Sequence, residues 1–338
     1  MNFDVPPPQA EVEIPVRLKP VPRWRRRLFR WVLGISLLIN LSYCGQMYRR
    51  VDLGEEEFPR VKETLVFGSM REPVRVAVLG FEGPIFRQTR GVFGTLPDPV
   101  TSLLREIQAA TVDPTISAIL LDLNSPGGGV TASDELYNAL LQFRNSSPDR
   151  RIVTMVRDMA ASGGFYMALP SDLIIAQPTS VLGSVGVMVS ALNMHELAER
   201  IGIRDVTLTS GDNKALLSPF RPVDAEHQEI FQTVVDQLHD RFRSLVLKHR
   251  QLNGDPDQLL DGRIFTAEEA LAKGFIDDIG FGDLARARLL ELLGAENAAF
   301  VRFTFQPGFG GLFGAQLPSP AAWLRQVPNV EFMFLWQP

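Results

Sequence analysis

The apolar positions beyond about residue 74 predict alternating strands and helices. Four short runs have the near-continuous hydrophobicity of buried strands, namely Val74–Leu79, Ser117–Leu123, Arg151–Val156 and Asp172–Ala176. Segments with helical spacing of apolar residues lie between and after them, at 98–110, 133–143, 163–169, 223–250 and 283–294. Strands separated by helices of this length favour βαβ units. The pattern therefore predicts an α/β fold with a largely parallel sheet flanked by helices.

Capping residues mark the ends of several predicted helices. Asp98 followed by Pro99 is typical of a helix start, and Thr266 with Glu269 forms a capping box that opens a helix ending at Gly274. The long amphipathic helix at 223–250 has two interpretations. It covers the core of its own subunit, or it is an arm that packs on another subunit.

A different pattern lies near the start of the chain. Five arginines between Arg23 and Arg30 precede an apolar run that reaches about Tyr48. A helix over 28–48 would be about 30 Å long, which matches the hydrocarbon core of a bilayer. Because flanking arginines stay on the cytoplasmic side, we expect a single-pass anchor in the cell membrane, with a cytoplasmic N-terminus and an extracytoplasmic catalytic domain. The alternatives are a signal that is cleaved or lipidated at Cys44, and a buried helix of a soluble protein.

These patterns divide the chain into five parts. We expect a cytoplasmic Pro/Arg-rich tail at 1–27, a transmembrane anchor at 28–48, a stalk at 49–73, a globular domain at 74–295 and a Gly/Pro/aromatic tail at 296–338. The last part lacks periodicity from about Gln306. It is either disordered, or its aromatic residues contact the membrane or a neighbouring subunit.

Composition and charge narrow the classes of function. The 338 residues carry a net charge of -5, which gives no support to a nucleic-acid partner. Cys44 is the only cysteine, so neither an intramolecular disulfide nor a cysteine-based metal site is possible. The four histidines form no recognised metal-binding pattern. We therefore expect neither a metal nor a cofactor.

The candidate nucleophile is Ser162, which small residues flank directly after a predicted strand. A serine at a strand-to-helix turn can present its hydroxyl to a substrate carbonyl, while the amide of Gly163 points at the developing oxyanion. Ser-Gly-Gly is also ordinary turn chemistry, so this motif alone leaves both interpretations open.

A glycine run after another predicted strand, Ser125–Gly129, offers a second part of the site. Ligands of α/β sheets bind at the carboxyl ends of strands, and glycine amides can approach them without interference from a side chain. The amides of Gly128 and Gly163 are a candidate oxyanion hole. A simple strand-to-helix turn is the other interpretation of the run.

A serine nucleophile needs a base, and Lys214 is the candidate because no histidine lies in a comparable Gly/Ser setting. His195, the nearest histidine, is typical of an exposed or hydrogen-bonded residue without a catalytic role. A lysine acts as a base only when it is neutral. Its pKa must therefore fall from the ordinary value of about 10.4 to about 7–8. Ser184, between two glycines, could orient its amine. Alone, Lys214 is typical of a surface lysine and Ser184 of a small residue at a β-bend.

Taken together and in this order, these segments resemble the signal peptide peptidase A family, peptidase family S49, over about residues 74–295. By this resemblance Ser162 is the nucleophile and Lys214 the general base. Ser184 corresponds to the serine that orients the lysine, and Gly128 to the oxyanion glycine. Phe165 departs mildly from the pattern, because tyrosine is frequent at this position in the family.

The resemblance implies a ClpP/crotonase-like fold and a membrane-anchored serine endopeptidase with a Ser/Lys dyad. Its substrates would be cleaved signal peptides or other hydrophobic peptides at the membrane. It also implies a homo-oligomeric ring, an octamer in the short form of the family, in which neighbouring subunits complete each site. Two other functions stay open: a crotonase-type acyl-CoA enzyme, whose enolate the glycine amides would also suit, and a non-catalytic membrane scaffold.

Overall fold

The computed structural model describes residues 31–38, 61–87, 98–305 and 333–335. The chain divides into two compact units, Met1–Phe58 and Pro59–Pro338. In the first unit, residues 31–38 form a helix, α1, whose side chains are exposed. No helix within the described ranges is both long and apolar enough to cross a bilayer. The tail predicted at 1–27, and the predicted anchor apart from 31–38, lie outside the described residues, and so does Cys44.

Regular elements make up most of the second unit. Its strands are β1 Val61–Phe67, β2 Arg75–Glu82, β3 Ile116–Ser125, β4 Gly127–Gly129, β5 Arg151–Ala161, β6 Leu173–Ala176, β7 Val181–Gly183, β8 Ile264–Thr266, β9 Asp278–Ile279, β10 Ala299–Phe305 and β11 Met333–Leu335. Its helices are α2 Pro99–Val112, α3 Val130–Asn145, α4 Gly163–Ala168, α5 His195–Arg200, α6 Ala225–His249, α7 Pro256–Leu259, α8 Ala267–Ala272 and α9 Gly282–Leu293. A 3-10 turn spans Asp212–Ala215. The strands and helices predicted from the apolar pattern are confirmed, with shifted ends.

The main sheet of the described residues has nine strands, with the order β1-β10-β2-β3-β5-β6-β9 and with β7 between β5 and β8. The pairs from β10 to β9 along this order, and the β5–β7 pair, are parallel. Only β1–β10 and β7–β8 are antiparallel in this sheet. The predicted α/β fold with a largely parallel, helix-flanked sheet is therefore confirmed.

The sheet extends beyond the limits predicted for the globular domain, 74–295. Strand β1 lies within the predicted stalk at 49–73, and β10 lies within the predicted tail at 296–338. They pair with each other, and β10 also pairs with β2, so both belong to the folded domain. Most side chains of β1 are exposed, as expected of an edge strand, which explains why its sequence shows no buried pattern.

Both faces of the sheet are buried, as is usual for parallel strands. On one face, Leu121 belongs to a core that includes Leu136 and Phe143 of α3. On the other face, Leu120 belongs to a core that includes Leu289 of α9. The sheet is thereby fixed between helices, and the carboxyl ends of β3 and β5 become a rigid base for the residues that follow them.

Candidate active site

Ser162 lies at the junction between β5 and α4, with a side chain that is 1% exposed. Its backbone has φ 52° and ψ -117°, a left-handed conformation that residues other than glycine rarely adopt. A strained serine on a sharp strand-to-helix turn is the arrangement that displays a hydroxyl at the edge of a sheet. The turn predicted from the sequence is therefore present, and its geometry is unusual for serine.

Two backbone hydrogen bonds hold Ser162 in this conformation. Its N–H donates to the carbonyl of Gly183 at 2.8 Å, and its own carbonyl accepts from the N–H of Tyr166 at 2.9 Å. Close packing explains why residue 164, near Ser162, is glycine. A Cβ on Gly164 would lie 2.6 Å from the carbonyl oxygen of Ser125. The start of α4 is thus pressed against the end of β3.

The other candidate oxyanion donor, Gly128, lies in the short strand β4. Ile85 donates its N–H to Gly127 at 2.8 Å and accepts the N–H of Gly129 at 2.9 Å. Because backbone groups alternate in direction along a strand, the N–H and C=O of Gly128 face away from Ile85. A Cβ on Gly128 would lie 2.2 Å from the Ile85 carbonyl oxygen, so this close approach requires glycine.

The edge of β4 that faces away from Ile85 carries another strand. Strand β11 runs antiparallel to β4, with Phe334 opposite Gly128, Met333 opposite Gly129 and Leu335 opposite Gly127. Both β4 and β11 lie next to α4, the helix that begins at Gly163. The candidate oxyanion residues Gly128 and Gly163 are therefore on neighbouring elements.

Ser184 follows β7 directly and is also strained, with φ 53° and a side chain that is 8% exposed. Its N–H donates to the Arg263 carbonyl at 2.7 Å. Since the preceding residue, Gly183, accepts the N–H of Ser162, the two serines lie on directly bonded segments. Ser162, Gly163 and Ser184 are thus brought together by the ends of β5 and β7.

Lys214 lies on the 3-10 turn Asp212–Ala215, and its side chain is exposed. Within the described part of the chain, it makes no hydrogen bond to Ser162 or Ser184. Apolar side chains that precede this turn are also exposed, with Val206 at 85% and Leu208 at 95%. The contacts of the described residues therefore do not connect Lys214 to Ser162 or Ser184.

The described residues contain no group of three or more His, Cys, Asp or Glu side chains that could hold a metal ion.

Comparison with known proteins relates part of the chain to a known family. The profile of peptidase family S49 matches residues 145–296, a stretch that contains Ser162, Ser184 and Lys214. The resemblance noted from the motifs is therefore confirmed, and this match, together with relatives named as proteases, supports a serine peptidase.

Two relatives illustrate how far this similarity extends. A candidate protease of Methanocaldococcus jannaschii is 29% identical over 230 residues, which cover 68% of this chain and 73% of the relative. A candidate signal peptide peptidase SppA of Enterococcus faecium is 33% identical over 183 residues, which cover 54% of this chain and 53% of the relative. This chain therefore aligns with only about half the length of the enterococcal relative. Among solved structures, a ClpP1 variant from Listeria monocytogenes is similar with a TM-score of 0.39 and 12% identity, covering 62% of this chain and 93% of that one.

The chain contains a supporting histidine that the motifs did not indicate. The Nε2 atom of His239, on α6, lies 3.1 Å from the Val185 carbonyl oxygen and 2.8 Å from that of Leu260. Because both partners are acceptors, this nitrogen carries the hydrogen. His239 thus fixes the segment that follows Ser184. Its place in an amphipathic helix gives no sequence signal for this role.

A second supporting set of hydrogen bonds joins α4 to the helices packed against it. The Tyr166 hydroxyl donates to Asp134 at 2.6 Å, and Arg241 donates to the same carboxylate oxygen at 2.6 Å. Burial, together with the hydrogen bond to Asp134, raises the pKa of Tyr166. These bonds connect α4 to α3 and α6, and so fix the helix that starts beside Ser162.

The same region contains a half-buried histidine, His249. The Tyr137 hydroxyl lies 2.9 Å from Nε2 of His249. The ring of Tyr137 packs edge-on against the ring of Tyr166, with the ring centroids 5.5 Å apart. Burial, and then the positive charges of Lys248 and its neighbours, lower the pKa of His249 to about 4. At neutral pH the imidazole is therefore neutral.

Proposed function

We propose that this chain is an endopeptidase with a Ser/Lys dyad, in which Ser162 is the nucleophile and Lys214 the general base. The strained turn of Ser162, bonded to Gly183 and followed by the Gly163 amide, carries this proposal. Neutral Lys214 takes the Ser162 proton as the hydroxyl attacks the scissile carbonyl. The amides of Gly128 and Gly163 bind the oxyanion. Protonated Lys214 then donates its proton to the leaving amine, and water hydrolyses the acyl-enzyme.

In this proposal the lysine reaches the serine of a neighbouring subunit. Lys214 is exposed and has no bond to Ser162 in its own chain, and the segment before it exposes Val206 and Leu208. A cavity of about 1090 Å³ lies between the Ala215–Ser218 region and the start of α6. Exposed apolar side chains such as these suit a contact with a second copy of the chain. The proposed assembly is a homo-oligomeric ring, an octamer by family resemblance, with a ClpP/crotonase-like fold in each subunit.

The proposed substrates are cleaved signal peptides and other hydrophobic peptides at the membrane. The supporting observation is the apolar run at 28–48, which follows a cluster of arginines and is long enough to anchor the chain. With the N-terminus in the cytoplasm, Ser162 would lie outside it, where discarded signal peptides are available. Ser184 would accept or donate the hydrogen bond that orients the Lys214 amine.

Cleavage of a hydrophobic peptide by the full chain in detergent or liposomes tests the dyad. We expect Ser162→Ala and Lys214→Ala each to remove nearly all activity, whereas Lys62→Ala, which changes an exposed lysine on β1, leaves it unchanged. Full activity of either dyad variant would refute the assignment. Binding of coenzyme A without peptide cleavage would favour an acyl-CoA enzyme.

Co-expression of Ser162→Ala with Lys214→Ala tests where the lysine comes from. If each site combines two neighbouring subunits, random assembly restores about a quarter of the sites. If both residues act within one chain, the mixed oligomer stays inactive. Each variant expressed alone is the control.

A further inference from the structure

An aromatic side chain packs on the backbone that holds Ser162, and none of the assignments above uses it. Phe265, on β8, is buried, and it lies against Gly183, the residue whose carbonyl accepts the Ser162 N–H. A Cβ on Gly183 would lie 2.8 Å from the Cδ2 atom of Phe265 and 3.2 Å from its Cε2 atom. The ring of Phe265 is therefore in direct contact with the backbone of Gly183.

Strand β8 supports the same segment through its own backbone. It pairs antiparallel with β7, with Ile264 opposite Gly183. The carbonyl of Arg263, directly before β8, accepts the N–H of Ser184 at 2.7 Å. The chain around β8 thus contacts both the acceptor of the Ser162 N–H and the serine proposed to orient the lysine.

The ring of Phe265 begins a row of three aromatic rings that reaches the other side of Ser162. Its centroid lies 4.9 Å from that of Phe275, which in turn lies 5.5 Å from that of Phe165. Phe275 and Phe165 are fully buried, and Phe165 belongs to α4, the helix that begins directly after Ser162. The row therefore connects the residue that accepts the Ser162 N–H with the helix that follows Ser162.

We propose that Phe265 is a positioning residue for the nucleophile, because its ring holds Gly183 in place and thereby keeps Ser162 at its positive φ. This role rests on the proposed function of Ser162. A strained backbone persists only where its surroundings over-determine it. Gly183, with φ 94°, has the conformational freedom of glycine and depends on its neighbours to stay in place. Since a displacement of about 1 Å can slow a reaction about 10²-fold, loss of the ring should impair catalysis more than substrate binding.

Replacement of the ring in the full-length protein tests this role. Phe265→Leu removes the ring but keeps an apolar side chain. The matched control is Phe143→Leu, the same change at a fully buried position of the same core, on α3. The folded fraction of each variant is measured by circular dichroism, so that kcat is expressed per folded molecule.

With a hydrophobic peptide as substrate, we expect kcat of Phe265→Leu to fall about 10- to 100-fold, with KM within about twofold of the wild-type value. Phe143→Leu should keep kcat within about threefold of the wild-type value. Equal losses of kcat in the two variants would mean that Phe265 only stabilises the core, and would overturn the proposal. If Phe265→Leu does not fold, Phe265→Met takes its place, because a flexible methionine fills gaps in a core.

Hydrogen exchange separates this proposal from the proposed proteolysis, because it requires no cleavage. The exchange of the Ser162 amide, which bonds to Gly183, is followed by mass spectrometry in the same variants. We expect this amide to exchange at least about tenfold faster in Phe265→Leu than in the wild type or in Phe143→Leu. Unchanged protection would refute the positioning role even if the wild type cleaves peptides. Faster exchange with no cleavage by the wild type would refute the protease and keep the support of the Ser162 turn by Phe265.

Discussion

Ser162 donates its backbone N–H to the carbonyl of Gly183 at 2.8 Å, and this bond connects the candidate nucleophile to the segment that carries Ser184. Both serines have positive φ, and both follow strands that pair with each other, β5 and β7. The strain at Ser162 is therefore maintained by the sheet. Backbone strain of this kind costs about 1–3 kcal/mol and persists where the surrounding structure over-determines it.

The strain at Ser162 predicts an inverted order of stability for two substitutions at this position. Ser162→Gly should have a free energy of unfolding about 1–2 kcal/mol higher than Ser162→Ala, because glycine adopts positive φ without a steric penalty. Ser244, exposed on α6, is the control, where glycine should be about 1 kcal/mol less stable than alanine. Urea unfolding measures both pairs. The same order at both positions would contradict strain at Ser162.

The close approach of Gly128 to Ile85 predicts a selective loss of catalysis. In Gly128→Ala the new Cβ meets the Ile85 carbonyl oxygen, so β4 and its amide must shift. We expect kcat to fall about 10²–10³-fold, as for the loss of one oxyanion donor. Gly80→Ala in β2 is the matched control, because nothing lies within 4 Å of a Cβ there. Comparable kcat values for the two variants would exclude Gly128 from the site.

The two carbonyls bound by His239 predict a positioning role for this residue. His239→Leu leaves the Val185 and Leu260 carbonyls without their donor, which should destabilise the fold by about 1–3 kcal/mol and displace Ser184. We expect kcat to decrease more than KM changes. His239→Gln, whose amide N–H can reach the same carbonyls, should restore much of both properties. A role limited to stability would leave kcat of folded His239→Leu at the wild-type value.

The lowered pKa of the half-buried His249 predicts a loss of stability in mild acid. Its pKa is lowered from 6.5 to about 4, so between these values the unfolded chain takes up a proton that the folded chain does not. The free energy of unfolding should therefore fall as the pH decreases from 6.5 towards 4, by about 2 kcal/mol in total.

Urea unfolding at pH 7 and pH 5 measures this contribution of His249. His249→Gln should reduce the difference between the two pH values, whereas His227→Gln, a control on the same helix, should retain it. If all three proteins show the same pH dependence, His249 is not its source.

Local sequence signals predicted much of this fold. The apolar runs of β2, β3, β5 and β6 indicated a parallel sheet, because their hydrophobicity reflects burial on both faces. The Asp98 cap and the capping box at Thr266 are present as expected. These features could be read in advance since each depends on residues within a few positions of one another.

The supporting contacts of the site had no such local signal. His239 binds carbonyls that lie 54 and 21 positions away, and Tyr166 binds Asp134 across 32 positions. The proposed role of Lys214 also depends on a contact with Ser162 that the described residues of its own chain do not show. Such partners are set by the packing of helices on the sheet, so no spacing along the chain indicates them.

The sequence by itself determined the central strands and most of the helices, and the position of Ser162 among small residues, because periodicity and small side chains act on neighbouring residues. Only the tertiary structure decided that β1 and β10 complete the sheet, that Ser162 is held at φ 52°, and that Phe334 lies opposite Gly128. Strand pairing and backbone strain depend on hydrogen bonds between residues that are distant in sequence, and the choice among many possible partners is made by the folded core.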